Sequence, residues 1–290
     1  MSEHVTTKPY EELEFRDDFM FGKTMEDPVL CHDVIECLLQ RSVGELHEVQ
    51  GQKQLKFTSD GKPIRLDLFN EDSEGVIYDV EMQNLGNKSI TSLALPKRSR
   101  FYQSSIDIDF LNKGNHYKSL PESNILFICT FDLFGEGLAW YTFRERCDEL
   151  GRLALNDGTE KHFYNCTYAG EKVPEEIRKL YDYVQTGRVG SPLTERIDEA
   201  VTKARMNEVW RTAYMKEQVL LMDAKEEGRE EERVNTLRER ERADRAEERA
   251  NSAEERVDSA EERASSAEKR AREAEEEVLR LKALIAAGTD

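Results

Sequence analysis

Ile64-Arg-Leu-Asp-Leu-Phe-Asn70, then a short turn at Ser73-Glu-Gly75, then Val76-Ile-Tyr-Asp-Val-Glu-Met-Gln83: this stretch decides the reading of the first part of the chain. Side chains alternate between faces along a strand. In the first segment Ile64, Leu66 and Leu68 share one face, and Arg65, Asp67 and Phe69 the other. In the second, Val76, Tyr78, Val80 and Met82 share one face, and Ile77, Asp79, Glu81 and Gln83 the other. The short turn makes the segments hairpin neighbours, which brings Asp67 and Glu81 to one sheet face. Two facing carboxylates repel unless a cation or a proton lies between them. Mg²⁺ suits that gap, because it takes hard oxygen ligands and needs only one or two carboxylates beside water and phosphate. Such an ion would orient and acidify a water and stabilise charge on a phosphate under attack. The alternative is an ordinary solvated face of a two-stranded edge, and spacing alone favours it.

Outward from this hairpin, residues 46–58 predict a further strand, closed by a turn at Asp60-Gly-Lys62. Before it, residues 13–39 predict two short helices. The second of these opens on Asp27-Pro28, a capping residue followed by a proline in the first turn. After the hairpin come a helix over 89–112, a buried strand over 125–130 and strands over 139–143 and 162–167. Asn156-Asp-Gly158 forms the turn between the last two. This order predicts an α/β domain with a mixed sheet flanked by helices.

Composition divides the chain. The sequence is 38% hydrophobic and 35% charged, so one part must be poor in core residues. The last aromatic residue is Tyr214, which assigns that part to the C-terminal side. The expected organisation is a globular domain over residues 1–190, a helical connector over 191–228 and a heptad tail over 229–290. The net charge of −18 counts against holding nucleic acid by bulk electrostatics. Any such role must rest on local basic patches and metal ions. Five isolated cysteines, the lack of a signal-peptide pattern and the lack of a long apolar run predict a cytoplasmic protein with no membrane association and no zinc site.

Several motifs together resemble the Rpn family of recombination-promoting nucleases, the PD-(D/E)XK nuclease family transposases. They are Phe15-Arg-Asp-Asp-Phe-Met-Phe-Gly-Lys23, the Ile64–Leu68 and Tyr78–Gln83 segments, Lys97-Arg-Ser-Arg-Phe-Tyr102, Gly114-x-x-Tyr117, Phe127-Ile-Cys-Thr-Phe-Asp132 and Tyr141-Thr-Phe143. The similarity spans residues 12–185. It implies a restriction-endonuclease-like core and DNA cleavage dependent on Mg²⁺, with Mn²⁺ as the substitute. By the same resemblance Asp67 is the strand aspartate and metal ligand, and Glu81 is the acid of the (D/E)-x-K element and second ligand. Gln83 stands where the wider superfamily has lysine, and Asp18 is the acid of the N-terminal helix. Arg98 and Tyr102 stand at supporting polar positions. Lys97, Arg98 and Arg100, with Tyr102 beside them, are the candidate DNA contacts. Asp79 departs from the pattern, placing an extra acid where relatives often carry a neutral residue.

The tail repeats every seven residues from Arg242. With Ala243 at position a, all thirteen a and d positions from Ala243 to Ile285 are apolar, and nine of them are alanine. The seam is therefore weak, with its strongest grip at Val278, Leu281 and Ile285. Charge sets the direction. Arg249, Arg256, Arg263, Arg270 and Glu277 at g meet Glu254, Glu261, Glu268, Glu275 and Lys282 at e of a parallel, in-register partner. An antiparallel pair would oppose like charges over most of that length. Each exposed pair contributes at most about 1 kcal/mol, but all five act in one direction. A parallel homodimer is the expectation, against a solvated single helix held by propensity alone. The functional expectation is a Mg²⁺-dependent DNA endonuclease using a metal-activated water. The alternative is a non-catalytic coiled-coil scaffold carrying an inactive nuclease-like domain.

Overall fold

The computed structural model describes residues 8–46, 49–55, 64–84, 94–112, 114 and 116–287. The turn expected at 60–62 and the beginning of the helix expected from residue 89 lie outside these residues. The chain forms two compact units, Met1–Glu217 and Gln218–Asp290.

The first unit is built on a six-stranded mixed sheet: β1 (Gln50–Leu55), β2 (Ile64–Glu71), β3 (Ile77–Gln83), β4 (Ser123–Cys129), β5 (Trp140–Phe143) and β6 (Thr159–Asn165). The spatial order is β1-β2-β3-β4-β6-β5. β1, β2 and β3 are antiparallel, β3, β4 and β6 run parallel, and β5 returns antiparallel on β6. β3 and β4 are buried along their whole length, as parallel strands covered on both faces require.

Helices cover both faces. On one side α1 (Asp18–Thr24), α2 (Pro28–Leu39), α4 (Glu175–Thr186) and α5 (Pro192–Arg205) pack on Leu68, Tyr78, Val80, Met82, Leu126, Ile128 and Tyr164. On the other side α3 (Leu95–Asn112) packs Leu95, Tyr102 and Ile106 against Phe69, Ile77, Ile125, Phe127 and Phe163. The result is a three-layer α/β arrangement.

Local chemistry explains where these helices begin. The Asp27 side chain accepts from the backbone of Val29 and Leu30 at 2.9 and 3.2 Å, with Pro28 at the first helical position. Ser191 and Thr194 form a capping box at the start of α5. The opening of the last helix, α6 (Glu208–Ala287), also belongs to this core. Tyr214 lies 5.7 Å from the Tyr10 ring and 5.2 Å from Phe19, and its hydroxyl donates to the Lys8 carbonyl.

The alternation read from β3 is the alternation found. Tyr78, Val80 and Met82 face one core, and Ile77 the other. β2 differs at one point: Leu66 and Leu68, expected on one face, pack into opposite cores. The backbone ladder between β2 and β3 covers Glu71 back to Leu68, whereas the pairing of β2 with β1 runs in one register from Phe69 back to Ile64.

The second unit is helical through Ala287, and none of its described side chains is buried. Val257, Val278 and Leu281, at a and d of the heptads, are each about half exposed. Among the described residues no helix is long and apolar enough to cross a membrane.

Candidate active site

Where the β2–β3 ladder stops, two carboxylates take over. The Asp67 N–H donates to Glu81 Oε1 at 2.9 Å, and the Met82 N–H donates to Asp67 Oδ2 at 3.3 Å. Extending the register of Leu68 on Val80 by one step sets Asp67 opposite Glu81. Each strand thus lends a backbone donor to the other strand's acid, and the two side chains sit face to face.

Glu81 is fully buried and Asp67 half-buried. Glu81 Oε2 accepts from Arg98 Nη2 at 3.3 Å and lies 3.5 Å from the Gln83 amide nitrogen. Arg98 also donates to Gln83 Oε1 at 3.2 Å and, through Nε and Nη2, to the Tyr102 hydroxyl at 3.2 and 2.6 Å. Arg98 and Tyr102 stand one turn apart on α3, so the helix delivers both to the C-terminal end of β3. Binding sites of open α/β sheets lie at that end of parallel strands. Four residues named from the sequence, Glu81, Gln83, Arg98 and Tyr102, therefore form one network around Asp67.

Asp79 completes the charge pattern from below. It is 0% exposed, and among the described residues neither carboxylate oxygen has a hydrogen-bond partner. Burial and then the charge of Asp67 push its carboxyl well above the usual carboxylate range, with Arg98 opposing. Glu81 is raised well above its ordinary value too, by burial, Asp67 and Asp79, against the Asp67 N–H and Arg98. Among the described residues three carboxyl groups therefore face one guanidinium, an arrangement that favours protonation of Asp79 and Glu81. At Asp79, where the sequence pattern expected an extra negative charge, burial and the Asp67 charge both favour the protonated form.

These residues fit a divalent metal. The unpartnered Asp79 oxygens and the excess of acid over base call for positive charge, and every candidate donor is a hard oxygen. Glu81 uses three of its roughly four acceptor sites and keeps capacity for another partner. Asp67, Asp79 and Glu81 do not close into a set of three ligand atoms within 4.8 Å of one another. The fit is to two protein carboxylates, with other positions left to water and phosphate.

Asp18 heads α1, which packs on β1, β2 and β3, and is exposed. Lys97 and Arg100 are exposed on α3, whereas Arg98 is committed to the carboxylates. The described residues hold one set of three close metal-type ligands, His32, Asp33 and Glu36. Its donors are already engaged: the His32 ring nitrogens meet Asp33 at 3.2 Å and the Val43 carbonyl at 3.1 Å, and Asp33 pairs with Arg196 at 2.6 Å. Those contacts staple α2 to the loop after it and to α5.

Sequence reading also passed over a cavity of about 400 Å³ beside α3. It is lined by Arg100 together with Arg144, Lys161 and the rings of Phe134, Phe143 and Phe163. Those residues are scattered over some sixty positions, and only the pairing of β5 with β6 brings them together.

Comparison with known proteins bears on the same region. Residues 12–141 match the family model described as PD-(D/E)XK nuclease family transposase, a span that holds Asp67, Asp79, Glu81, Gln83, Arg98 and Tyr102. No curated protein and no solved structure matches the chain. The matched part is thus similar to a nuclease- or transposase-type domain, and the six-stranded sheet with flanking helices is consistent with the PD-(D/E)XK fold.

Proposed function

We propose that this chain is a Mg²⁺-dependent DNA endonuclease of the recombination-promoting, transposase-associated type, and that its tail pairs two copies in parallel. One observation carries the catalytic reading: Asp67 and Glu81 clasp each other across β2 and β3, with the partnerless Asp79 buried beside them and one guanidinium facing all three acids.

Asp67 and Glu81 would hold the ion. When bound, the metal supplies an acidified water and charge stabilisation at the phosphate. Gln83 presents an amide at the edge of the carboxylate pair, where it can orient water or a phosphate oxygen. Arg98 fixes the Glu81 carboxylate and places a positive charge where negative charge grows on a phosphate. Tyr102 keeps its proton, because burial pushes its phenol upward, and through that hydroxyl it anchors Arg98.

The pairing of two copies is supported by the heptad seam, whose Val257, Val278 and Leu281 are each about half exposed among the described residues. A second reading, a scaffold with an inactive nuclease-like domain, draws support from the net charge of −18. Plasmid nicking by the full chain separates the two. Cleavage should require Mg²⁺, stop with chelator and disappear in Glu81→Ala. Equal cutting by wild type and Glu81→Ala would sink the assigned site.

A further inference from the structure

The cavity beside α3 has a composition of its own. Arg100, Arg144 and Lys161 line it together with Phe134, Phe143 and Phe163, and Glu145 is its one acid. The rings are mutually fixed: Phe134 stands 5.1 Å from Phe143 and 5.3 Å from Phe163, and Phe143 meets Phe163 at 5.7 Å edge to face. Phe143 is nevertheless 46% exposed, a large apolar face turned outward among cations. Arg144 is held by Glu160 at 2.6 Å, whereas Arg100 and Lys161 make no ion pair among the described residues. With Arg144 paired to Glu160, the lining keeps Arg100 and Lys161 against Glu145, a net positive, ring-lined cavity in a chain of net charge −18, and this composition suits something anionic and flat.

Position ties this cavity to the carboxylates. Glu81, Phe127, Phe163 and Tyr141 form one row across the sheet. Phe163 therefore lies two strands from Glu81, roughly 10 Å at about 4.8 Å per strand. Arg98 and Arg100 are two residues apart on α3, so they leave the helix about 200° apart. One turns to the carboxylates and the other lines the cavity. Phe143, on the edge strand β5, stands three strands from Glu81, roughly 14 Å at about 4.8 Å per strand, a span of a few nucleotides at about 3.4 Å each.

We propose that this cavity is a subsite for an unpaired nucleotide of the DNA strand being cut, with its base stacked on Phe143 and its flanking phosphates on Arg100 and Lys161. The proposal rests on the DNA-cleavage reading above and adds to it a preference for single-stranded or frayed substrate. Stacking on an aromatic ring tolerates any base, whereas a paired base cannot leave its duplex to enter without losing its own stacking.

The test is metal-free binding by the full chain. Fluorescence anisotropy in chelator compares a labelled short oligothymidylate with a blunt duplex over a range of salt. Single strand should bind tighter than duplex. Phe143→Ala should weaken it about tenfold or more, with Phe143→Trp close to wild type. Arg100→Gln combined with Lys161→Gln should lower the slope of log affinity against log salt by about 1.4, two phosphates at about 0.7 each. Duplex binding as tight as single strand, or Phe143→Ala binding like wild type, would overturn the subsite. A misfolded variant is recognised by its melting curve, and the retained ring in Phe143→Trp keeps the comparison decisive. Cleavage without Phe143-dependent binding removes the subsite alone. Phe143-dependent binding without metal-dependent cleavage removes the catalytic reading alone.

Discussion

Arg98 reaches Glu81 Oε2 at 3.3 Å while its own geometry is set by the Tyr102 hydroxyl at 2.6 Å, so a helix side chain fixes the acid at the end of a buried strand. Removing Arg98 leaves Glu81, Asp79 and Asp67 without their facing cation. Arg98→Ala is expected to destabilise the protein by about 2 kcal/mol, less than a fully buried pair because the guanidinium is partly exposed. Arg98→Lys should recover little, since an ammonium cannot span Glu81, Gln83 and Tyr102 together. Urea denaturation of the three proteins is the measurement. Unchanged midpoints would show that the network carries no load.

Catalysis is expected to depend on the Glu81 charge more than on its shape. Glu81→Gln should keep the packing of β3 and lower Mg²⁺-dependent nicking by about 10²–10³-fold, on the scale of several kcal/mol of lost charge stabilisation. The readout is the initial nicking rate at saturating metal. A loss below tenfold would mean that the ion is held elsewhere.

Asp79 makes the metal-free protein sensitive to pH in a definite direction. Its folded carboxyl is raised above the unfolded value by burial and Asp67. The unfolded chain therefore releases this proton at lower pH than the folded one does. Stability linked to Asp79 is fully present below the unfolded value and is lost as pH rises toward the folded one. Asp79→Asn should raise the melting temperature at neutral pH, by about 2–4 °C for each kcal/mol relieved, with the gain vanishing in acid. A gain that grows in acid would contradict the assigned protonation.

Metal should reverse that penalty. Adding Mg²⁺ at a hundred times its dissociation constant stabilises by about 2.7 kcal/mol, or roughly 5–10 °C for a unit of this size. The binding should strengthen with pH, because Glu81 must give up its raised proton to become a ligand. Thermal shifts with Mg²⁺ across pH, repeated in Glu81→Gln, check both statements. An equal shift in the variant would place the ion away from Glu81.

The tail is expected to set the mass in solution. Sedimentation of the full chain should give a dimer, and a chain ending at Met222 a monomer. Val278→Asp with Leu281→Asp should weaken the dimer strongly, since the other seam positions are mostly alanine. Monomeric full-length protein would remove the pairing.

How far this was legible in the sequence follows from what each feature depends on. The Asp79, Glu81 and Gln83 face of β3 was readable, because strand alternation is local and β3 is regular throughout. The cap at Asp27 was readable for the same reason. Leu66 was misplaced because the core a residue joins is set by tertiary packing, which alternation along one strand does not report. Arg98 was expected both as a supporting polar residue beside Tyr102 and as one of three DNA-contact cations, and its helical phase against β3 separates it from Lys97 and Arg100. The upward push on the Asp79 carboxyl was hidden for a further reason: burial is its largest cause, and no neighbour in sequence reports that.

The carboxylates of Asp67 and Glu81 accept from backbone amides of the opposite strand, so the groups that would receive a metal also join two strands of the sheet. The amide protons of Asp67 and Met82 are therefore built-in spectroscopic probes. Their chemical shifts and exchange rates register the charge and position of each acid without any label. A titration followed at these two resonances would report occupancy of the site in the intact protein, even where no bond in DNA is broken.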